Sequence, residues 1–201
     1  MTSLLSEFIN FPRERELVGR MLLAYGELEF ALLGCVSEAL NDDIHTTTRI
    51  LFRVRGEAAR LSVADAILRP LFSKYPGLTD KWITAYAVVR HCKNIRNQYA
   101  HCHWQRPDDG KLYFLNLDEE AKSSGEVLNV TFRPIDLVLL QKQYEYFEYA
   151  AGWLYHLRDQ LILRAGKTPT GLILPEPKSI PQPPLDSHQA KAAPSPPAGR
   201  A

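Results

Sequence analysis

Three side chains that suit phosphodiester chemistry lie close together in the segment Arg96-Asn97-Gln98-Tyr99-Ala100-His101. Arginine stays charged, and its planar guanidinium matches two phosphate oxygens at once. Histidine titrates near neutral pH and can exchange a proton with a hydroxyl group. Cleavage of RNA by its own 2′-hydroxyl needs a base, an acid and a fixed cation for the charge that develops on the phosphate. Arg96, Asn97 and His101 are therefore the candidate catalytic residues, and the reaction requires neither a metal nor another cofactor.

Helical spacing places two of these groups on one polar face. If Ile95 and Tyr99 are buried, a rotation of about 100° per residue puts Asn97 about 200° and His101 about 240° from Ile95. Arg96 lies on the flank, about 100° from Ile95, and can bend toward that face. Asn97 and His101 are one turn apart, so we expect the amide to orient the ring. One histidine and one arginine make half of an acid–base site, which a symmetric homodimer would complete.

Further basic side chains are candidates for contacts with RNA phosphates, which would make binding depend on salt. Arg90 and Lys93 share the polar face with Asn97 and His101, at spacings of three and four residues. Other arginines lie on a preceding helix, where a solvated face is the alternative interpretation. Two acidic residues of the first helix, Glu27 and Glu29, are candidate acid–base helpers if they approach this face. The candidate RNA-binding residues are Arg90, Lys93, His103 and Arg53.

Composition restricts the classes of function. The 201 residues carry a net charge of +1, so any nucleic-acid site must be local. We find no secretory signal and no apolar run long enough to span a membrane, and we expect no membrane partner. The three cysteines are unpatterned, which favours reduced thiols in the cytoplasm. Their spacing to the histidines matches no closed zinc pattern, so we expect no metal site.

The chain divides near residue 167. Nine of its 14 prolines lie between Pro169 and Pro197, among residues with little apolar surface to bury. Such composition predicts a helical domain over residues 1–167 and a disordered, Pro/Ala-rich tail over residues 168–201. The tail is open to two interpretations, a solubilising extension or a ligand for a partner of the SH3 type.

Apolar periodicity predicts an all-α fold, an up-down bundle of four main helices. The first is predicted from Pro12 to about Leu40, the second from about Thr46 to Pro70, and the third from about Leu78. The last opens at Arg133-Pro134. Before it, the alternating pattern predicts a β-hairpin insertion over about residues 104–132, with strands at 112–117 and 127–132.

The segment around His101 resembles the signature of the HEPN superfamily (higher eukaryotes and prokaryotes nucleotide-binding domains), which is R-x4–6-H. Bacterial members often read R-N-x-x-A-H followed shortly by tryptophan, and this chain matches at Arg96, Asn97, Ala100, His101 and Trp104. The resemblance implies the helical HEPN fold over residues 12–165. It further implies a metal-independent endoribonuclease that acts as a homodimer, with Arg96 and His101 as the catalytic pair and Asn97 as a polar helper.

HEPN proteins commonly act as toxins or as effectors of defence, so the resemblance implies an antitoxin or a regulatory protein as partner. One branch carries, two residues after the motif histidine, a tyrosine that receives AMP. This chain has His103 there. Other HEPN-like domains are inactive and serve dimerisation, protein interaction or nucleotide binding. A non-catalytic module of this kind is the alternative to the ribonuclease.

Overall fold

The computed structural model describes residues 6–41, 43–106, 108–121, 131–169 and 171–186. These residues are mostly helical, with a small three-stranded antiparallel sheet, which confirms the predicted helical class. None of the helices in these ranges is long and apolar enough to cross a membrane. The helices are α1 (Pro12–Leu40), α2 (Ile44–Leu51), α3 (Glu57–Phe72), α4 (Leu78–Ala100), α5 (Leu117–Glu120) and α6 (Leu137–Arg164). The strands are β1 (Cys102–Gln105), β2 (Leu112–Asn116) and β3 (Arg133–Ile135).

One hydrophobic core joins α1, α3, α4 and α6. The bounds of α1 agree with the prediction because both ends carry local signals. Pro12 occupies the first turn, where its missing N–H costs nothing. At the other end Asn41 adopts a left-handed conformation (φ 49°), and its N–H bonds back to the carbonyl of Glu38.

The predicted second helix is two helices, α2 and α3. The chain leaves the helical conformation after Leu51 and re-enters it behind Gly56, whose φ of +85° favours glycine. Ile50 belongs to the apolar periodicity that predicted one continuous helix, and it is 52% exposed. Pro70 does not end the helix, because the buried Phe72 stacks on Trp82 at a centroid distance of 5.6 Å and holds one more half-turn.

The sheet begins directly after α4, two residues earlier than the predicted hairpin. Antiparallel β1 and β2 pair Trp104 with Phe114, and β3 adds to the other edge of β2. The first predicted strand, 112–117, coincides with β2 apart from its last residue, which opens α5. Residues 122–130, which hold most of the second predicted strand, lie outside the described residues.

The last helix starts later than predicted, because Arg133–Ile135 forms β3 instead of a first helical turn. Pro134 fits there since β3 is an edge strand and one of its sides needs no N–H donor. The helix begins behind Asp136, whose carboxylate accepts a hydrogen bond from the N–H of Leu139 at 2.7 Å.

The prediction of a disordered tail from residue 168 is wrong for residues 171–186. This segment is extended and lies against α4 and α6, with Pro183 and Asp186 buried. Composition misses this docking because the segment orders against surface and hydrogen-bond donors that the helices supply. Residues 187–201 lie outside the described residues.

We predict that acid destabilises the protein through His91. Its Nε2 donates to the Pro183 carbonyl at 2.8 Å, and Nδ1 lies 3.1 Å from the Gln182 amide. Burial lowers the pKa of His91, whereas the Pro183 hydrogen bond raises it less. The unfolded chain therefore binds a proton more readily than the folded one, so stability falls as the pH drops below about 6.5.

Thermal unfolding at pH 7.5 and 5.5 measures this loss of stability. We expect His91→Gln to lose less stability between the two pH values than the wild type. The exposed His45 is the matched control, and His45→Gln should lose as much as the wild type. An unchanged loss in His91→Gln would show that His91 is not the titrating group.

Candidate functional site

The predicted catalytic residues line one surface depression of about 460 Å³ between α3 and the end of α4. Arg96 and Asn97 lie on the last turns of α4, and His101 follows its last residue. Of the four predicted RNA-binding residues, Lys93 belongs to the same depression. The full lining is Gly56, Glu57, Ala58, Arg60, Lys93, Arg96, Asn97 and His101.

Two neighbours fix the Arg96 guanidinium. Its Nη1 lies 2.9 Å from Glu57 Oε1 and donates to Asn97 Oδ1 at 3.0 Å. The guanidinium carbon is 6.0 Å from the centre of the Tyr25 ring. The Arg96 side chain is 29% exposed, so the group is fixed in place and still reachable from solvent. This geometry suits a cation that must meet an anion in one orientation.

Asn97 has a different partner from the one we predicted. Its side-chain oxygen accepts from Arg96, whereas we expected the amide to orient His101. The asparagine therefore positions the cation of the site. Asn97 can bind the adjacent Arg96 because the arginine side chain bends across the helix surface toward Asn97 and Glu57.

His101 is exposed and terminates α4, with φ −122° and ψ 29°. Within the described part of the chain, its imidazole has no hydrogen-bond partner. The turn that carries it is nevertheless firmly held, because the buried Tyr99 stacks on Trp104 and donates to Gln143 at 2.6 Å. A well-packed last turn of α4 thus presents the His101 imidazole to solvent.

Glu57 is a site residue that the sequence did not indicate, whereas Arg60 is one of the arginines of the preceding helix for which RNA contact and a solvated face were both open. Arg60 is held by Glu29, with nitrogen–oxygen distances of 2.6 and 2.8 Å, and its guanidinium carbon lies 5.3 Å from the centre of the Phe52 ring. Glu29 thus lies near the site but binds Arg60. The only local signal for Glu57 was its position in the first turn of α3 after Gly56. An acidic residue there usually interacts favourably with the helix dipole, so the position did not indicate a site.

The other predicted RNA-binding residues do not line the depression. Arg90 is exposed and lies 5.9 Å from the centre of the Tyr86 ring. His103 is exposed on β1, and Arg53 is exposed in the turn after α2. The cations of the site are therefore Lys93, Arg96 and Arg60, and the last two are each paired with a glutamate.

Two other titratable groups, Tyr25 and Cys92, are unsuited to proton transfer at neutral pH. Burial raises the pKa of Tyr25, so its hydroxyl stays protonated at neutral pH. Burial likewise raises the pKa of the Cys92 thiol, which points to the carbonyl of Tyr146. No group of three or more metal-ligating side chains occurs among the described residues.

Comparisons of this chain with models of protein families, with curated proteins and with solved structures found no match.

We predict an energetic coupling between Glu57 and Arg96 of about 0.5–1 kcal/mol, the upper range for partly exposed ion pairs. Urea unfolding of the wild type, Glu57→Gln, Arg96→Gln and the double variant gives this coupling as a double-mutant cycle. The same cycle with Arg90, which lies outside the depression, should give a coupling near zero. A coupling near zero for Glu57 and Arg96 would contradict the anchoring of the guanidinium.

Proposed function

We propose that this protein is a metal-independent endoribonuclease of the HEPN type, with Arg96, Asn97 and His101 as its active-site residues. The observation that carries the proposal is the exposed His101 imidazole beside a guanidinium that Glu57 and Asn97 hold in place. The up-down HEPN bundle is part of the same proposal.

In this mechanism the 2′-hydroxyl of RNA attacks the adjacent phosphorus, and the 5′-oxygen leaves. His101 exchanges a proton with one of these two oxygens, and Arg96 stabilises the negative charge that develops on the phosphate. Asn97 keeps the guanidinium in orientation. The products carry a 2′,3′-cyclic phosphate and a 5′-hydroxyl. Lys93, on the same depression, adds a cation for a neighbouring phosphate.

The reaction needs a proton acceptor and a proton donor, whereas one chain supplies one imidazole to the depression. We therefore propose a homodimer in which the depressions of two copies face each other and share their histidines. In the cell such an enzyme would act as a toxin or a defence effector, and an antitoxin or regulatory protein would control it.

One observation favours a non-catalytic, HEPN-like interaction or nucleotide-binding module as the second candidate. Glu57 neutralises the charge of Arg96 within its own subunit. An arginine paired in this way can serve the packing of α3 on α4 and nothing else. In that case His101 would be an ordinary exposed residue.

The enzyme hypothesis predicts cleavage of tRNA or total RNA in the presence of EDTA. We expect His101→Ala to lower the cleavage rate at least about 100-fold, the lower range for loss of general acid–base catalysis. Arg96→Ala should also lower it, and 2′,3′-cyclic phosphate ends should accumulate more slowly with both variants than with the wild type. His45→Ala, which alters an exposed histidine on α2, is the control and should cleave as the wild type does. Equal cleavage by wild type and His101→Ala would exclude the proposed site.

The dimer hypothesis predicts that cleavage per chain falls on dilution, in parallel with dissociation of the dimer. Analytical ultracentrifugation and RNA cleavage over the same range of concentrations measure the two curves. Undiminished cleavage by a monomer would contradict a composite site and would leave the ribonuclease itself standing.

A further inference from the structure

A groove between α4 and α6 holds the proline-rich segment 171–186 along its length. One end of the segment meets α6 at Asp159, whose carboxylate accepts from the N–H of Leu174 at 3.0 Å. The other end meets β3, where Arg133 binds Asp186 at 3.2 Å. The segment therefore runs antiparallel to α6, toward the turn that carries His101.

Side chains of the groove bind the backbone of the segment. The amide of Gln143 donates to the carbonyl of Pro184 at 2.8 Å, and that of Gln98 donates to the carbonyl of Leu185 at 2.8 Å. His91 donates to the carbonyl of Pro183. Proline has no N–H, so a proline-rich segment offers few backbone donors of its own, and here side chains of the helices supply them. Recognition of an extended, proline-rich backbone by side-chain donors is a general mode of peptide binding.

The groove is specialised for this ligand. Gln143 is fully buried, its oxygen accepts from Tyr99, and its nitrogen donates to the segment. If the segment left, water would have to replace the two backbone carbonyls that this nitrogen binds. Gly152 leaves room for a ring, since a Cβ there would lie 3.2 Å from Pro177 Cγ. Lys81 adds charge recognition of Glu176 at 2.6 Å.

Pro183 is the only buried apolar residue of the segment, and Asp186 is buried beside Arg133. Leu172 is 86% and Ile173 46% exposed, and Ile180 and Leu185 only flank the core. The largest fully buried side chains come from the helices and the sheet. Segments with few buried apolar contacts open at a lower free energy than the core does. The segment therefore has the properties of a ligand that can leave while the helices stay folded.

We propose that the α4–α6 groove is a binding site for a proline-rich peptide and that residues 171–186 are its exchangeable intrachain ligand. This inference is independent of the ribonuclease proposal. It also connects the groove to the candidate site, because Gln98 and Tyr99 lie on the last helical turn of α4, between Arg96 and His101. Occupancy of the groove thereby supports that turn.

The proposal is tested by cutting the chain between α6 and the segment 171–186 in the folded, full-length protein. A protease recognition sequence is inserted between Thr168, which is exposed, and Pro169, and the folded protein is cleaved there. A fluorescent peptide of residues 171–186 is then added, and its anisotropy is measured. We expect saturable binding that unlabelled peptide reverses. The uncut chain should bind at least about tenfold more weakly, because its own segment competes at a high effective concentration.

Matched variants identify the contacts. Gln143→Leu in the cut protein should weaken binding about tenfold, the equivalent of one or two lost hydrogen bonds. Gln141→Leu, at an exposed position of the same helix, should leave binding unchanged. Peptides with Glu176→Gln or Asp186→Asn should bind more weakly than the original, and these changes leave the folding of the protein untouched.

Three outcomes would overturn the proposal, with circular dichroism reporting the fold. The first is that the cut protein unfolds. The second is that it releases the segment and does not bind the labelled peptide. The third is that it retains the segment without any exchange over days. Each would make residues 171–186 a fixed part of the fold. None of these measurements involves RNA, so they fail or succeed separately from the ribonuclease proposal.

Discussion

The hydrogen bond from the Tyr99 hydroxyl to Gln143, 2.6 Å long, connects three parts of the molecule. Tyr99 belongs to the turn before His101, Gln143 lies on α6, and the other end of the Gln143 amide binds the proline-rich segment. Burial raises the pKa of Tyr99, so the hydroxyl stays a donor throughout the physiological range. A buried amide needs partners at both ends, and here each partner comes from a distant part of the chain.

The second constraint is the pairing of Arg96 with Glu57 across 39 positions of sequence. Such a pair has two opposite consequences for chemistry. It holds the guanidinium in one orientation, which favours transition-state stabilisation because no reorganisation is then required. It also offsets the positive charge of the Arg96 guanidinium, which would otherwise attract an RNA phosphate. Lys93 on the same depression carries a further positive charge, and the His101 imidazole is exposed.

Local signals account for the parts of the fold that the sequence predicted. Pro12 and the residues around Asn41 bound α1 at the expected positions. The break before Gly56 was missed because an apolar stripe continued through it. The start of α6 was misplaced because Pro134 suits both a first helical turn and an edge strand, and Asp136 provides the actual cap. Proline content indicated disorder for residues 171–186. This was wrong because the groove that orders the segment is formed by distant helices, which the composition of the segment does not reveal.

For the candidate site, the sequence by itself determined that Arg96, Asn97 and His101 stand at the end of one helix. Helical rotation is a property of the local backbone and can be read from spacing. Only the tertiary structure decided that Glu57 and Arg60 join them and that Asn97 binds Arg96. It alone placed Leu185, near the end of the segment 171–186, against Gln98 of the same helical turn. The reason is physical: contacts between distant elements depend on how their surfaces pack, and spacing along the chain does not encode that packing.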